Sequence, residues 1–158
     1  MVAVTVEYRT KVLFNGTPEE AIADAKEALS FFKMHAPEMG IDANKIVAVG
    51  ASAGGNAVLS AALHPQEDTL GLSPKPCAMI LFGPISDTTR KGICNDHFAS
   101  PKDGKLYSPS YHLPQKALPP CLIFHAKADR VVPFEQSARF AKRYRKKRNR
   151  CDLMEFEN

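Results

Sequence analysis

The feature that most constrains this chain is a glycine-framed serine between two apolar runs. Ile46-Val47-Ala48-Val49 is followed directly by Gly50-Ala51-Ser52-Ala53-Gly54-Gly55, and then by Ala57-Val58-Leu59-Ser60-Ala61-Ala62-Leu63. The first run is short and apolar, suited to the middle of a parallel sheet. The second is long enough for a helix, expected to begin just after Ser52 and to run to about Leu63. A serine at such a strand-to-helix turn sits in a strained backbone conformation with its hydroxyl raised at the top of the sheet. Gly50 and Gly54, two before and two after, leave room for strand and helix to pass closely, and Gly55 extends that small surface. The backbone N–H of Ala53 then points to where an oxyanion would form, with the positive end of the helix behind it. A phosphate-cradling glycine turn is the competing reading. It lacks the Gly-x-Gly-x-x-Gly spacing and the Walker lysine.

Around this turn the chain alternates strand and helix, which predicts an α/β fold with a mainly parallel sheet of about five strands and helices on both faces. Val2, Val4, Val6 and Tyr8 alternate, so residues 2–8 read as a first strand. Thr17-Pro18-Glu19-Glu20 is a helix start, with a Thr cap, a proline at the first position and a glutamate three after the cap. Ile22, Ala25, Leu29 and Phe32 follow one helical face, and Gly40 lies past its end. Residues 64–76 read as a loop, 77–82 and 121–125 as buried strands, and 151–157 as a last strand. A helix opening near Pro133 presents Phe140, Ala141 and Tyr144 on one side. The connection 83–118 is broken by Pro, Gly, Asp and Ser, and one so long is expected to act as a lid or to shape a pocket.

With 158 residues, 44% hydrophobic and 24% charged, the chain reads as a single globular domain. No apolar run is long enough to span a bilayer. The N-terminus has neither the basic start nor the long apolar stretch of a signal peptide, and the compartment and oligomeric state stay open. The net charge of +4 is concentrated at residues 142–150, which read as a solvated helix end rather than a nucleic-acid surface. Of the four cysteines, none forms Cys-x-x-Cys. Cys94 and His97 are at most half of a metal site. Cys121 and Cys151 each open a predicted strand; whether they are bonded stays open. No metal or organic cofactor is expected.

Asp129, just past the strand 121–125 and well downstream of Ser52, fits the order Ser, then Asp, then His, one of the chain orders in which a serine triad occurs. Its task would be to accept the imidazole Nδ1–H and to stabilise the imidazolium. A turn or capping aspartate is the plainer alternative. No histidine stands out as the base. His125 lies at the strand end, His35 near a helix end, His64 in a loop, and His97 and His112 in the long connection.

Several ordered motifs resemble the α/β-hydrolase superfamily, in particular its bacterial esterase/lipase group with the acetyl-xylan and feruloyl esterase-like enzymes. Val6-Glu7-Tyr8-Arg9 is similar to that group's "DYR" strand end, Ala23-Asp24-Ala25-Lys26 to its Asp-containing helix, and Gly50–Gly55 to its GxSAGG elbow. Leu122–Pro133 is similar to "LIFHGxxDxxVP", with Ala126 at the usual glycine. Residues 149–156 resemble the final strand. The resemblance implies a serine hydrolase of carboxylic esters, short acyl and including carbohydrate-linked ones, with Ser52 as nucleophile, Asp129 as acid and a structural role for His125. It also implies that two parts lie outside the chain: the HGGG loop that supplies the second oxyanion N–H, and the catalytic histidine after the last strand. The chain is therefore expected to be an incomplete domain, truncated at both ends, inactive or strongly impaired alone, and without the strand that normally separates the first two. The rival readings are a prolyl-oligopeptidase-type serine peptidase, a non-catalytic remnant or binding module, and a polyanion binder using residues 142–150.

Overall fold

A computed structural model describes residues 1–63, 73–113 and 117–157. Part of the predicted loop 64–76, with His64, lies outside the described residues. The element order is α1 (Lys11–Phe14), α2 (Pro18–Met34), β1 (Val47–Ala51), α3 (Ser52–Leu63), β2 (Ala78–Phe82), α4 (Pro101–Leu106), β3 (Cys121–Ala126), α5 (Phe134–Lys146) and β4 (Cys151–Phe156). The four strands form one parallel sheet in the order β1-β2-β3-β4. This is a partial α/β-hydrolase architecture, as the motifs implied.

Local chemistry sets the helix boundaries. The Thr17 hydroxyl accepts from the Glu20 N–H at 3.3 Å, and the Glu20 carboxylate accepts from the Thr17 N–H at 2.9 Å, so two of the free donors at the start of α2 are satisfied. In α5, Phe140, Ala141 and Tyr144 are buried as the helical spacing predicted. They pack with Leu59 and Leu63 of α3 against Met79, Leu81, Cys121, Ile123 and Cys151. These five strand residues share one face of the sheet, so α3 and α5 cover that face together.

The opposite face is different. Val49, Phe82, Met154 and Phe156 are 60%, 46%, 49% and 48% exposed. Alternating strands and helices predicted cover on both faces; among the described residues, the helices that pack on this sheet lie on one.

Residues 2–8 form no strand, which corrects the count from about five strands to four among the described residues. The valine alternation is present, but a strand needs a neighbour to complete its ladder. Val2, Val4 and Val6 are 66%, 58% and 45% exposed instead. The arm is anchored at its end, where Tyr8 is half-buried and Arg9 pairs with Asp24 at 2.6 Å and Glu20 at 3.0 Å.

Candidate active site

The turn between β1 and α3 places Ser52 at the first position of the helix with φ +49°, a left-handed conformation that side chains rarely adopt. Its side chain is exposed, and its carbonyl accepts from the Ile85 N–H at 3.2 Å. The glycines around it do unequal work. A Cβ at Gly50 would lie 2.6 Å from the Gly54 carbonyl oxygen, and one at Gly55 would lie 2.8 Å from the Pro84 Cβ. A Cβ at Gly54 would meet nothing nearer than the Tyr8 hydroxyl, at 3.6 Å. Close passage therefore demands glycine at 50 and 55, whereas position 54 has room.

Ala53, next to the serine, opens on a cavity of about 170 Å³ with apolar walls from Ala21, Ala57, Ile85 and Phe98. The last two belong to the long connection, which is pinned in place. Asn56 of α3 donates to the Ile85 carbonyl at 2.9 Å, and the Gln136 Oε1 of α5 accepts from the N–H groups of Ser86 and Asp87, both at 3.0 Å.

Asp129 sits on the turn after β3. Its Oδ1 accepts from the N–H groups of Val131 and Val132 at 2.8 and 3.0 Å, and its Oδ2 lies 3.3 Å from His125 Nε2. Burial is the largest influence on this carboxyl and pushes its pKa up. The two backbone N–H bonds, with His125, outweigh it and hold the group below its ordinary value.

His125 is buried, with Nδ1 2.7 Å from the Ser137 hydroxyl and Nε2 2.9 Å from the Val132 carbonyl. A carbonyl only accepts, so Nε2 carries a proton toward Val132. Both ring nitrogens are engaged, and the imidazole braces the turn that carries Asp129. His35 pairs with Glu38 at 2.9 Å, His112 lies 3.0 Å from the Lys105 carbonyl, and His97 lines the cavity beside Ala53. Among the described residues, no imidazole reaches the Ser52 hydroxyl.

Ser52 and Asp129 open on one hollow of about 580 Å³, floored by the ends of β2, β3 and β4. Phe82 stacks on Phe124 at 5.1 Å, and Phe124 on Phe156 at 6.2 Å, giving it an apolar side. Gly83, with φ +47°, passes so close that an added Cβ would lie 3.3 Å from Asp129 Oδ2. The arrangement sets a raised hydroxyl and a charged carboxylate around a space open enough for a further side chain.

The sequence reading missed Gly83, Gln136 and Ser137. Ser137 carried a signal, because it falls on the same helical stripe as Phe140 and Tyr144. Gly83 carried none, since its role is set by a neighbour 46 residues away along the chain.

The prolyl oligopeptidase family model matches residues 14–158. Endo-1,4-beta-xylanase B of Butyrivibrio fibrisolvens is 28% identical over 163 residues, a match that takes in 94% of this chain and 25% of that protein. Among solved structures, Thermogutta terrifontis esterase 2 phosphoramylated by tabun superposes with a TM-score of 0.85 at 36% identity, covering 95% of this chain and 57% of that one. The propionate-bound form of that esterase gives 0.83 at 35%, covering 95% and 58%. The chain thus spans a little over half the length of these esterases and a quarter of the xylanase.

Proposed function

The chain belongs to the prolyl oligopeptidase family, and from that membership together with its likeness to the esterase structures we propose that in the whole protein it supplies the nucleophile and the acid of a serine hydrolase acting on carboxylic esters. The observation that carries this reading is Ser52, held left-handed at the β1–α3 turn and opening on the same hollow as the Asp129 carboxylate. The Ser52 oxygen attacks the ester carbonyl, and its proton passes to a histidine supplied from outside these residues and seated in the hollow. Asp129 orients that imidazole and stabilises its charged form. The Ala53 N–H donates to the oxyanion. The alcohol leaves with the transferred proton, and water then releases the acid from the acyl-enzyme.

The cavity beside Ala53 suits a short acyl group, and its wall from the long connection gives that segment a pocket-shaping role. The xylanase relative favours esters carried on carbohydrate. The family model itself favours a second reading, a serine peptidase of the prolyl oligopeptidase type.

The test is labelling with a fluorescent fluorophosphonate, a reagent of the organophosphorus class that modifies the tabun-treated esterase. The 158-residue chain, its Ser52→Ala variant and a chain extended at both ends are compared. Labelling of the extended chain at Ser52, lost in the variant, supports the reading. No label on a folded extended chain removes Ser52 as nucleophile and leaves a binding module. Faster cleavage of a proline anilide than of a short acyl ester by the extended chain selects the peptidase.

A further inference from the structure

β3 and β4 each begin with a cysteine, and the parallel register sets Cys121 directly opposite Cys151. Facing residues on neighbouring strands are about 4.8 Å apart and project to the same side of the sheet. Disulfides span Cα separations of about 4.4–6.8 Å, so the spacing of this register falls within the range for a bridge. Both side chains turn into the core under α5, 3% and 2% exposed, and both are free thiols.

We propose that Cys121 and Cys151 are a covalent modification site, closed into a β3–β4 disulfide by exchange with a small-molecule disulfide such as oxidised glutathione. This stands apart from the hydrolase reading. Cys151 is the entering nucleophile. The neighbouring Cys121 thiol is the largest influence on it and, with the Arg145 guanidinium, holds it below the ordinary thiol range against the effect of burial. Arg145 is fixed there by its bond to the Cys151 carbonyl at 2.9 Å. The Cys151 thiolate attacks one sulfur of glutathione disulfide, whose S–S bond breaks and releases one glutathione thiol. Cys121 then gives up its proton and displaces the second glutathione from Cys151. Two protein thiols and one small disulfide become one protein disulfide and two small thiols.

Access comes from β4, an edge of this sheet with Asp152, Met154 and Glu155 exposed, which opens by local unfolding. The closed loop contains Asp129 and all of α5. The bridge therefore restricts the unfolded chain across the β3–α5–β4 unit.

The experiment uses the full chain with Cys77→Ser and Cys94→Ser, which removes the exposed and half-buried thiols. It is incubated with oxidised glutathione, mapped by unreduced peptide mass spectrometry and melted by calorimetry. The expected result is a Cys121–Cys151 linked peptide, loss of both free thiols, and a melting midpoint raised by about 5–10 °C that reverts on reduction. Adding Cys121→Ala stops the reaction at a glutathione adduct on Cys151. Two results overturn the proposal. One is thiols that stay free while hydrogen exchange shows β4 opening within the incubation. The other is a glutathione adduct that persists on Cys151 with Cys121 present.

Discussion

An added Cβ at Gly50 would stand 2.6 Å from the carbonyl oxygen of Gly54, so β1 and α3 meet where a side chain has no room. Neither partner can rotate away, because both contacting groups are backbone. Gly50→Ala is expected to cost about 3 kcal/mol and to lower the melting midpoint by about 10 °C. Gly54→Ala meets only ordinary contact with Tyr8 and gains helix propensity. It is expected to raise stability by up to about 1 kcal/mol. Calorimetry of the two variants checks the contrast; equal losses would mean that the turn is not packed as described.

Acid should destabilise the fold through two carboxylates. The Arg9 side-chain hydrogen bond is the main cause that holds Asp24 below its ordinary pKa, and the Val131 and Val132 N–H bonds do so for Asp129 against its burial. A carboxyl lowered in the folded state binds its proton less tightly there than in the unfolded chain. Its contribution is therefore complete above the unfolded pKa of about 4 and is lost as pH falls through the folded value. Urea midpoints measured from pH 6 to pH 2 should fall below about pH 4. The fall should be shallower in Asp24→Asn and in Asp129→Asn. An unchanged slope in both would remove these pairs as its source.

Much of this fold was legible because its signals are local. The Thr17–Glu20 capping box, the apolar runs at 46–49 and 121–125 and the stripe of Phe140, Ala141 and Tyr144 depend on neighbours within a turn or a strand. Residues 2–8 failed for the complementary reason. Their alternation states what the valines would do beside a partner strand, and a single segment does not encode that partner. The uncovered face with Phe82 and Phe156 escaped for the same cause. Within the site, Ser52 and Asp129 were visible as motif members. The bracing of Asp129 by Gly83 and His125 arises from tertiary approach.

His125 tests the difference between a brace and a base. Truncation to alanine leaves the Val132 carbonyl and the Ser137 hydroxyl without partners and opens a hole behind Asp129. His125→Ala should cost about 3 kcal/mol or more, read as a lower urea midpoint. If the imidazole only braces, the fluorophosphonate labelling rate per folded molecule in the extended chain should drop less than about tenfold. Loss of a true base removes about 10⁴-fold. A loss of that size in folded protein would make His125 a participant.

Ser52 itself should be costly to stability. A serine at φ +49° pays for a conformation that glycine adopts freely, a penalty of about 1 kcal/mol. Ser52→Gly should therefore raise the melting midpoint by about 2–4 °C while abolishing fluorophosphonate labelling of the extended chain. Ser52→Ala keeps the Cβ and the strain, so it should lose the label without that gain. The comparison separates the hydroxyl from the backbone. A turn kept strained for the sake of a raised hydroxyl predicts opposite movement of stability and reactivity in Ser52→Gly. If Ser52→Gly and Ser52→Ala melt together, the left-handed turn carries no stored strain, and the elbow is only a consequence of the β1–α3 packing.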